Sequence, residues 1–241
     1  MKRIRVFLLS FLLSSLLIGC SGDSGKPAEY SLAWKDQEKA VYNLSVNDSV
    51  ISEVVFTIER TDDSVYKVDS YTEVQGGVTN SGAFVDTSSF LPLSTYYIQK
   101  PPPEATRKET EIKGEYQEDV LKLNINSEGK VQEKEVKLPK NIVDNESVLM
   151  MVRNLALEED FQQSINIVIP VSAQVAPYSI KVVAKELVEV PYGEFEAFKV
   201  MFRYTGKGSV PDMYAWYTAD ESKIMLKYVN QNAKFELIDY K

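Results

Sequence analysis

From residue 40 to the end of the chain, apolar and polar side chains alternate in short runs separated by turn residues. Phe198, Val200, Phe202 and Tyr204, set against Lys199, Met201 and Arg203, show the pattern best. A period of two places one set on a buried sheet face and the other toward water. It predicts strands over 40–46, 51–60, 65–74, 78–86, 94–99, 107–116, 120–126 and 130–137. A second set follows over 162–169, 179–190, 194–204, 213–218, 224–229 and 234–240. Asn47-Asp48-Ser49, Gln75-Gly76-Gly77, Ser127-Glu128-Gly129-Lys130 and Pro191-Tyr192-Gly193 supply turn chemistry. Neighbours joined by turns this short pair antiparallel. Pro101-Pro102-Pro103 cannot donate ladder hydrogen bonds and reads as a loop or an edge.

Between the two blocks the period changes. Val148, Met151, Val152 and Leu155 fall at i, i+3, i+4 and i+7, one apolar helical face. This predicts a helix near 145–154, with Asp144 as its cap. The expected fold is mainly β: a single domain over 30–241 holding one strongly curved antiparallel sheet, an incomplete barrel. Residues 28–140 and 160–241 form its two sections, and 144–157 lie across it. A sheet this long curls rather than staying flat. The C-terminal strands are expected at its edge, guarded by Lys227 and Lys234.

The first residues follow other rules. Lys2, Arg3 and Arg5 precede a short apolar run from Val6 to Ile18, the layout of an export signal over 1–19. Leu17-Ile18-Gly19-Cys20 resembles the bacterial lipobox, which implies cleavage between Gly19 and Cys20 and acylation of the Cys20 sulfur. Small polar residues follow and make 20–29 a tether. Each buried methylene contributes about 0.8 kcal/mol, so two or three chains hold stably. The expected partner is therefore a lipid bilayer, reached through acylated Cys20. Ser21 resembles the default outer-membrane signal of two-membrane bacteria; with one membrane, the site would be the outer face of the cell membrane.

Composition narrows the chemistry. Cys20 is the only cysteine and there is no histidine. Histidine-based triads, thiol nucleophiles and histidine or thiolate zinc sites are excluded, leaving Asp, Glu, Lys, Tyr or a Ser-Lys pair. The formal charge of −8 becomes −11 once Lys2, Arg3 and Arg5 are removed, which argues against nucleic acid as a partner. Glu194 and Glu196 share a strand face about 6–7 Å apart, a carboxylate spacing seen in glycoside hydrolysis and also in any solvated face. Asp62-Asp63 and Glu158-Glu159-Asp160 offer oxygen ligands without the spacing of a calcium loop. Thr205-Gly206-Lys207-Gly208-Ser209 lacks the spacer and following helix of a phosphate loop. No cofactor is expected.

Glu189-Val190-Pro191-Tyr192-Gly193-Glu194-Phe195-Glu196-Ala197-Phe198-Lys199-Val200, followed by Tyr214-Ala215-Trp216-Tyr217 and Ile224-Met225-Leu226-Lys227-Tyr228, resembles the domain-of-unknown-function 3108 family. Phe90-Leu91-Pro92-Leu93 resembles an earlier step of that family. The resemblance implies a fold like that of the lipoprotein-localisation factors, with an apolar cavity suited to acyl chains, and supplies no catalytic residues. The localisation receptor uses an exposed apolar loop; its counterpart here, residues 155–161, is interrupted by three acids. Val148, Met151, Val152 and Leu155, facing Phe202 and Trp216, are the candidate cavity lining, or equally a filled core. The expectation is a non-enzymatic envelope lipoprotein that binds a lipid, another hydrophobic small molecule or an envelope protein on a concave sheet. The alternative is a structural or assembly lipoprotein with a filled core, acting through protein contacts.

Overall fold

A computed structural model describes residues 29–241. The expected signal peptide over 1–19, Cys20 and the expected tether up to residue 28 lie outside the described residues. Fifteen strands form one sheet. The first eight are β1 (Gln37–Val46), β2 (Ser49–Arg60), β3 (Val65–Val74), β4 (Gly77–Asp86), β5 (Leu91–Lys100), β6 (Thr110–Gln117), β7 (Val120–Ser127) and β8 (Lys130–Lys137). After β9 (Ile142–Asp144) and a single helix turn, α1 (Val148–Met151), come β10 (Gln162–Ile169), β11 (Gln174–Val190), β12 (Gly193–Tyr204), β13 (Met213–Thr218), β14 (Met225–Asn230) and β15 (Ala233–Tyr240).

Each half is a meander, and the halves join where β1 pairs with β15. The hairpins follow from local chemistry. Asn47 and Asp48 both adopt positive φ, as do Gln75 and Gly76, and such two-residue turns match the twist of the strands they join. The C-terminal strands are therefore central, not an edge. Lys227 and Lys234 flank Glu236 at 3.7 and 2.7 Å instead of guarding a border. The real edges are β8 and β9. β8 is exposed along nearly its whole length and alternates charges, which discourages pairing with another chain. β9 departs from the all-antiparallel expectation: it pairs parallel with β10, Val143 opposite Ile167.

Only residues 138–141 connect the two edges, so the sheet must curl almost into a barrel. Two apolar clusters fill the curl. The larger lies between β1–β4, α1 and β10–β15. The smaller packs Tyr97, Ile112, Leu121 and Leu123 against Ile142 and Val168. The expected strongly curved sheet with one short helix packed across it is what the chain forms. The helix is shorter than the predicted 145–154: α1 ends at Met151 and a 3-10 turn runs over Val152–Asn154. Asp144 belongs to β9; its carboxylate accepts the Glu146 N–H at 2.8 Å, while Ser147 occupies the cap position.

A helix this short leaves most of its carbonyls without internal partners. One strand and two flanking segments supply donors. Trp34 Nε1 donates to Met150 O (3.1 Å), Tyr217 Oη to Leu149 O (2.9 Å) and Lys223 Nζ to Leu155 O (2.8 Å). Arg153 reaches Glu38 of β1 and the Ser222 carbonyl. These contacts plug the end of the curl that also carries the loops 61–64, 87–90 and 219–223. Tyr30 stacks on Phe90 and bridges Leu155, so the described chain also begins at this end. The opposite end carries the turns at 47–48, 75–76 and 231–232, and the plug does not reach it.

Candidate functional site

Two cavities flank Leu149 toward the unplugged end. The larger, about 90 Å³, rests on neighbouring strands of the concave face. Phe56, Ser70, Ser81 and Tyr97 stand opposite one another in a row from β2 to β5. Val54, Thr72 and Thr79 form the next row, and Leu44 and Phe235 close the side at the β1/β15 seam. The lining thus changes from apolar on β15, β1 and β2 to hydroxyl-bearing on β3, β4 and β5. Asn145, Glu146, Leu149 and Val171 cover it. Apolar walls with a few placed polar groups are what small-molecule sites share.

The polar side is unusual in its electrostatics. Glu146 is half-buried and lines the cavity. Its Oε1 accepts the Asn145 amide at 3.0 Å. Burial pushes its pKa up, and hydrogen bonding from Ser81 and Asn145 only partly opposes that. Asp144, fully buried beside it, is pushed up to about 7 by burial first and by the charge of Glu146 second. Tyr116 Oη donates to its Oδ2 at 2.5 Å. The Tyr97 hydroxyl lies near Thr79, yet makes no hydrogen bond of ordinary geometry, and Tyr97 is 5% exposed. Burial lifts its pKa to about 12.

The second cavity, about 70 Å³, has Val148, Ile167, Tyr178, Phe202 and Met213 in its wall together with the amides of Asn145, Asn230 and Gln231. A third, about 10 Å³ beside Glu38 and Arg153, has room for about one water.

Of the six residues expected to line a cavity, Val148 and Phe202 do so. Met151, Val152 and Leu155 are at most 2% exposed and pack in the larger core. Trp216 is on the other face of the sheet. Strand pairing sets it beside Lys199 and Lys227, whose ammonium groups lie 5.0 and 5.3 Å from its ring, and its indole donates to Glu186 at 2.6 Å. Its neighbour Tyr217 is the one that turns inward to α1. The cover and the hydroxyl rows were not anticipated. The signal for them was in β3: Tyr66, Val68, Ser70, Thr72 and Val74 share a face, and two hydroxyls interrupt an otherwise apolar series.

The other candidates resolve as surface. Glu194 and Glu196 are exposed, and Glu196 pairs with Lys185 at 3.1 Å. Asp62 and Asp63 are exposed and stay beside Arg60. Glu158, Glu159 and Asp160 are exposed, while Leu155 and Leu157 of the same loop are buried, so it presents no apolar receptor-like tip. Residues 205–209 join β12 to β13. Among the described residues, no group of three or more metal-ligating side chains comes together. No described helix is long and apolar enough to cross a membrane.

Over residues 30–234 the sequence matches a family described as protein of unknown function, DUF3108. The chain belongs to the DUF3108 family. Its structure is similar to that of a β-barrel-like protein of domain of unknown function DUF1849 from Brucella abortus, at a TM-score of 0.60 and 10% identity, covering 85% of this chain and 97% of the other. That likeness shows a shared barrel-like fold between the DUF3108 chain and the Brucella protein. A Bacteroides fragilis protein described as exported, with a YmcC-like fold, aligns over 89% of this chain and 99% of its own at 12% identity. Its TM-score of 0.33 is too low to establish a common fold. Comparison with curated proteins finds no significant match to this DUF3108 chain.

Proposed function

We propose that this DUF3108 protein is a non-enzymatic, lipid-anchored component of the cell envelope that holds an apolar or amphipathic ligand in the cavity covered by Glu146 and Leu149. The observation that carries the reading is the graded lining, apolar at Leu44, Val54, Phe56 and Phe235 and hydroxyl-bearing at Ser70, Thr72, Thr79 and Ser81. The absence of histidine and of any thiol beyond Cys20 supports a binding role over a catalytic one. The described chain starts at the plugged end, so anchoring through Cys20 would set the cavities on the side away from the tether. A second reading, action through protein contacts with a filled core, draws support from the close packing of Met151, Val152 and Leu155.

The neutral fluorophore N-phenyl-1-naphthylamine separates these readings. The sheet, both cores and α1 lie within 29–241, so a chain begun at residue 20 with Cys20→Ser keeps every element and needs no detergent. The probe is expected to bind at about one equivalent, and Val54→Trp, which fills the larger cavity, to abolish binding at a stability cost of about 1–3 kcal/mol. A folded protein that does not brighten the probe would leave the filled-core reading in place. Anchoring has its own measurement. Full-length protein is expected in the membrane fraction and Cys20→Ser in the soluble one; equal partitioning of the two would end the anchor proposal.

A further inference from the structure

We infer that the larger cavity selects its ligand by headgroup as well as by chain, taking an amphipath with a protonated amine head in preference to one with a carboxylate. This rests on the proposed binding role and names the class of ligand.

Charge in the cover is the first reason. Glu146 lines the cavity and Asp144 lies directly behind it, joined through the Glu146 N–H. No lysine or arginine lines the cavity, and no cation acts on either carboxyl. The one cation felt nearby, Arg107, acts on Tyr97. A buried carboxyl without a counter-charge favours its neutral form, which is why both are pushed up. An ammonium head beside Glu146 supplies the missing partner. A carboxylate head would add another negative charge to an enclosed acidic pair, and like charges brought together at an interface are strongly rejected.

The unused polar capacity is the second. The Tyr97 side chain is deeply buried, lines the same cavity and has Thr79 beside its hydroxyl. Ser70 and Ser81, opposite each other with their hydroxyl oxygens 3.0 Å apart, retain lone pairs toward the same space. An ammonium group brings three donors and no acceptor, so it matches a rim of oxygens. The apolar side at Val54, Phe56 and Leu44 accommodates the alkyl chain.

The test displaces N-phenyl-1-naphthylamine from the chain begun at residue 20 with Cys20→Ser, using decylamine, decanol and decanoate below their micelle concentrations. Decylamine is expected to displace at about tenfold lower concentration than decanoate, with decanol between them. Glu146→Gln keeps the size of the side chain and is expected to bring amine and carboxylate within about threefold of each other. Decanoate competing as well as decylamine, or an amine preference that survives in Glu146→Gln, would overturn the headgroup assignment while leaving ligand binding intact. Failure of the fluorophore to bind at all would remove the binding role and this inference with it. The wild-type ranking decides the preference even where Glu146→Gln fails to fold.

Discussion

Glu38→Ala is expected to lower the unfolding free energy by about 3–5 kcal/mol, among the largest effects of any single substitution in the chain. Glu38 and Arg153 have side chains only 2% exposed. Arg153 donates to the two Glu38 oxygens at 2.6 and 3.3 Å and to the Ser222 carbonyl at 3.0 Å. Glu38 Oε1 also accepts the Lys35 N–H at 2.6 Å. Burial alone would draw the guanidinium pKa down; the hydrogen bonds and charge of Glu38 outweigh it and the net direction is up, so Arg153 stays charged. Removing Glu38 leaves that charge enclosed with only neutral oxygens around it. The same contact fixes the end of the plug to β1 across 115 residues of chain, so its loss also loosens the segment that sets the cavity cover.

A double-mutant cycle in urea separates pairing from packing. Arg153→Met alone strands a buried carboxylate and is expected to cost a similar amount. The Glu38→Leu, Arg153→Met double variant is expected to lose far less than the sum, because an apolar pair needs no counter-charge. Exposed pairs such as Lys113–Glu111 make the contrast, since water screens them. A loss below about 1 kcal/mol for Glu38→Ala would mean that water reaches the pair and that the plug is held by apolar contacts alone.

The meanders were legible because strand alternation and two-residue turns are local. Val78 to Asp86 could be placed from its own residues and the turn before it. The β1/β15 seam was not legible, since pairing Leu44 with Phe235 leaves no mark in either segment. β9 escaped notice because three residues, Ile142 to Asp144, are too few to show a period. The helix was overextended for a related reason. A stripe at Val148, Met151, Val152 and Leu155 implies a polar opposite face, but Leu149 and Met150 are buried as well, so the segment is enclosed on every side. Trp216 was misplaced by one residue of register, and one residue is enough to move a strand side chain to the other face. The cavity cover depends on how residues 145–149 close over β3 and β4, which no local pattern encodes.

Stability is expected to rise as pH falls from about 8 to about 5, the reverse of ordinary acid denaturation. Asp144, fully buried, has its pKa pushed from an ordinary 3.8 up to about 7. Between those values the folded chain holds a proton that the unfolded chain releases, so stability is fully present below the lower value and is lost as pH rises through the upper one. Three units correspond to a contribution on the order of 4 kcal/mol. Glu146 and Asp69 are also raised by burial and act in the same direction. Asp86 and Asp212, held low by hydrogen bonds from Ser88 and Arg203, have the opposite sign, but their contributions are lost only below the ordinary carboxylate range. Urea unfolding of wild type is therefore expected to give a free energy about 3 kcal/mol higher at about pH 5 than at about pH 8. In Asp144→Asn the side chain is neutral throughout, and its oxygen still accepts the Glu146 N–H. Most of the slope is expected to disappear, with the variant more stable than wild type at the alkaline end. A wild-type curve that is flat or rises with pH, or a slope unchanged in Asp144→Asn, would show that Asp144 is ionised in the folded protein at neutral pH. The acidic cover would then be solvated and not dry, with water in place of the counter-charge that its burial otherwise calls for.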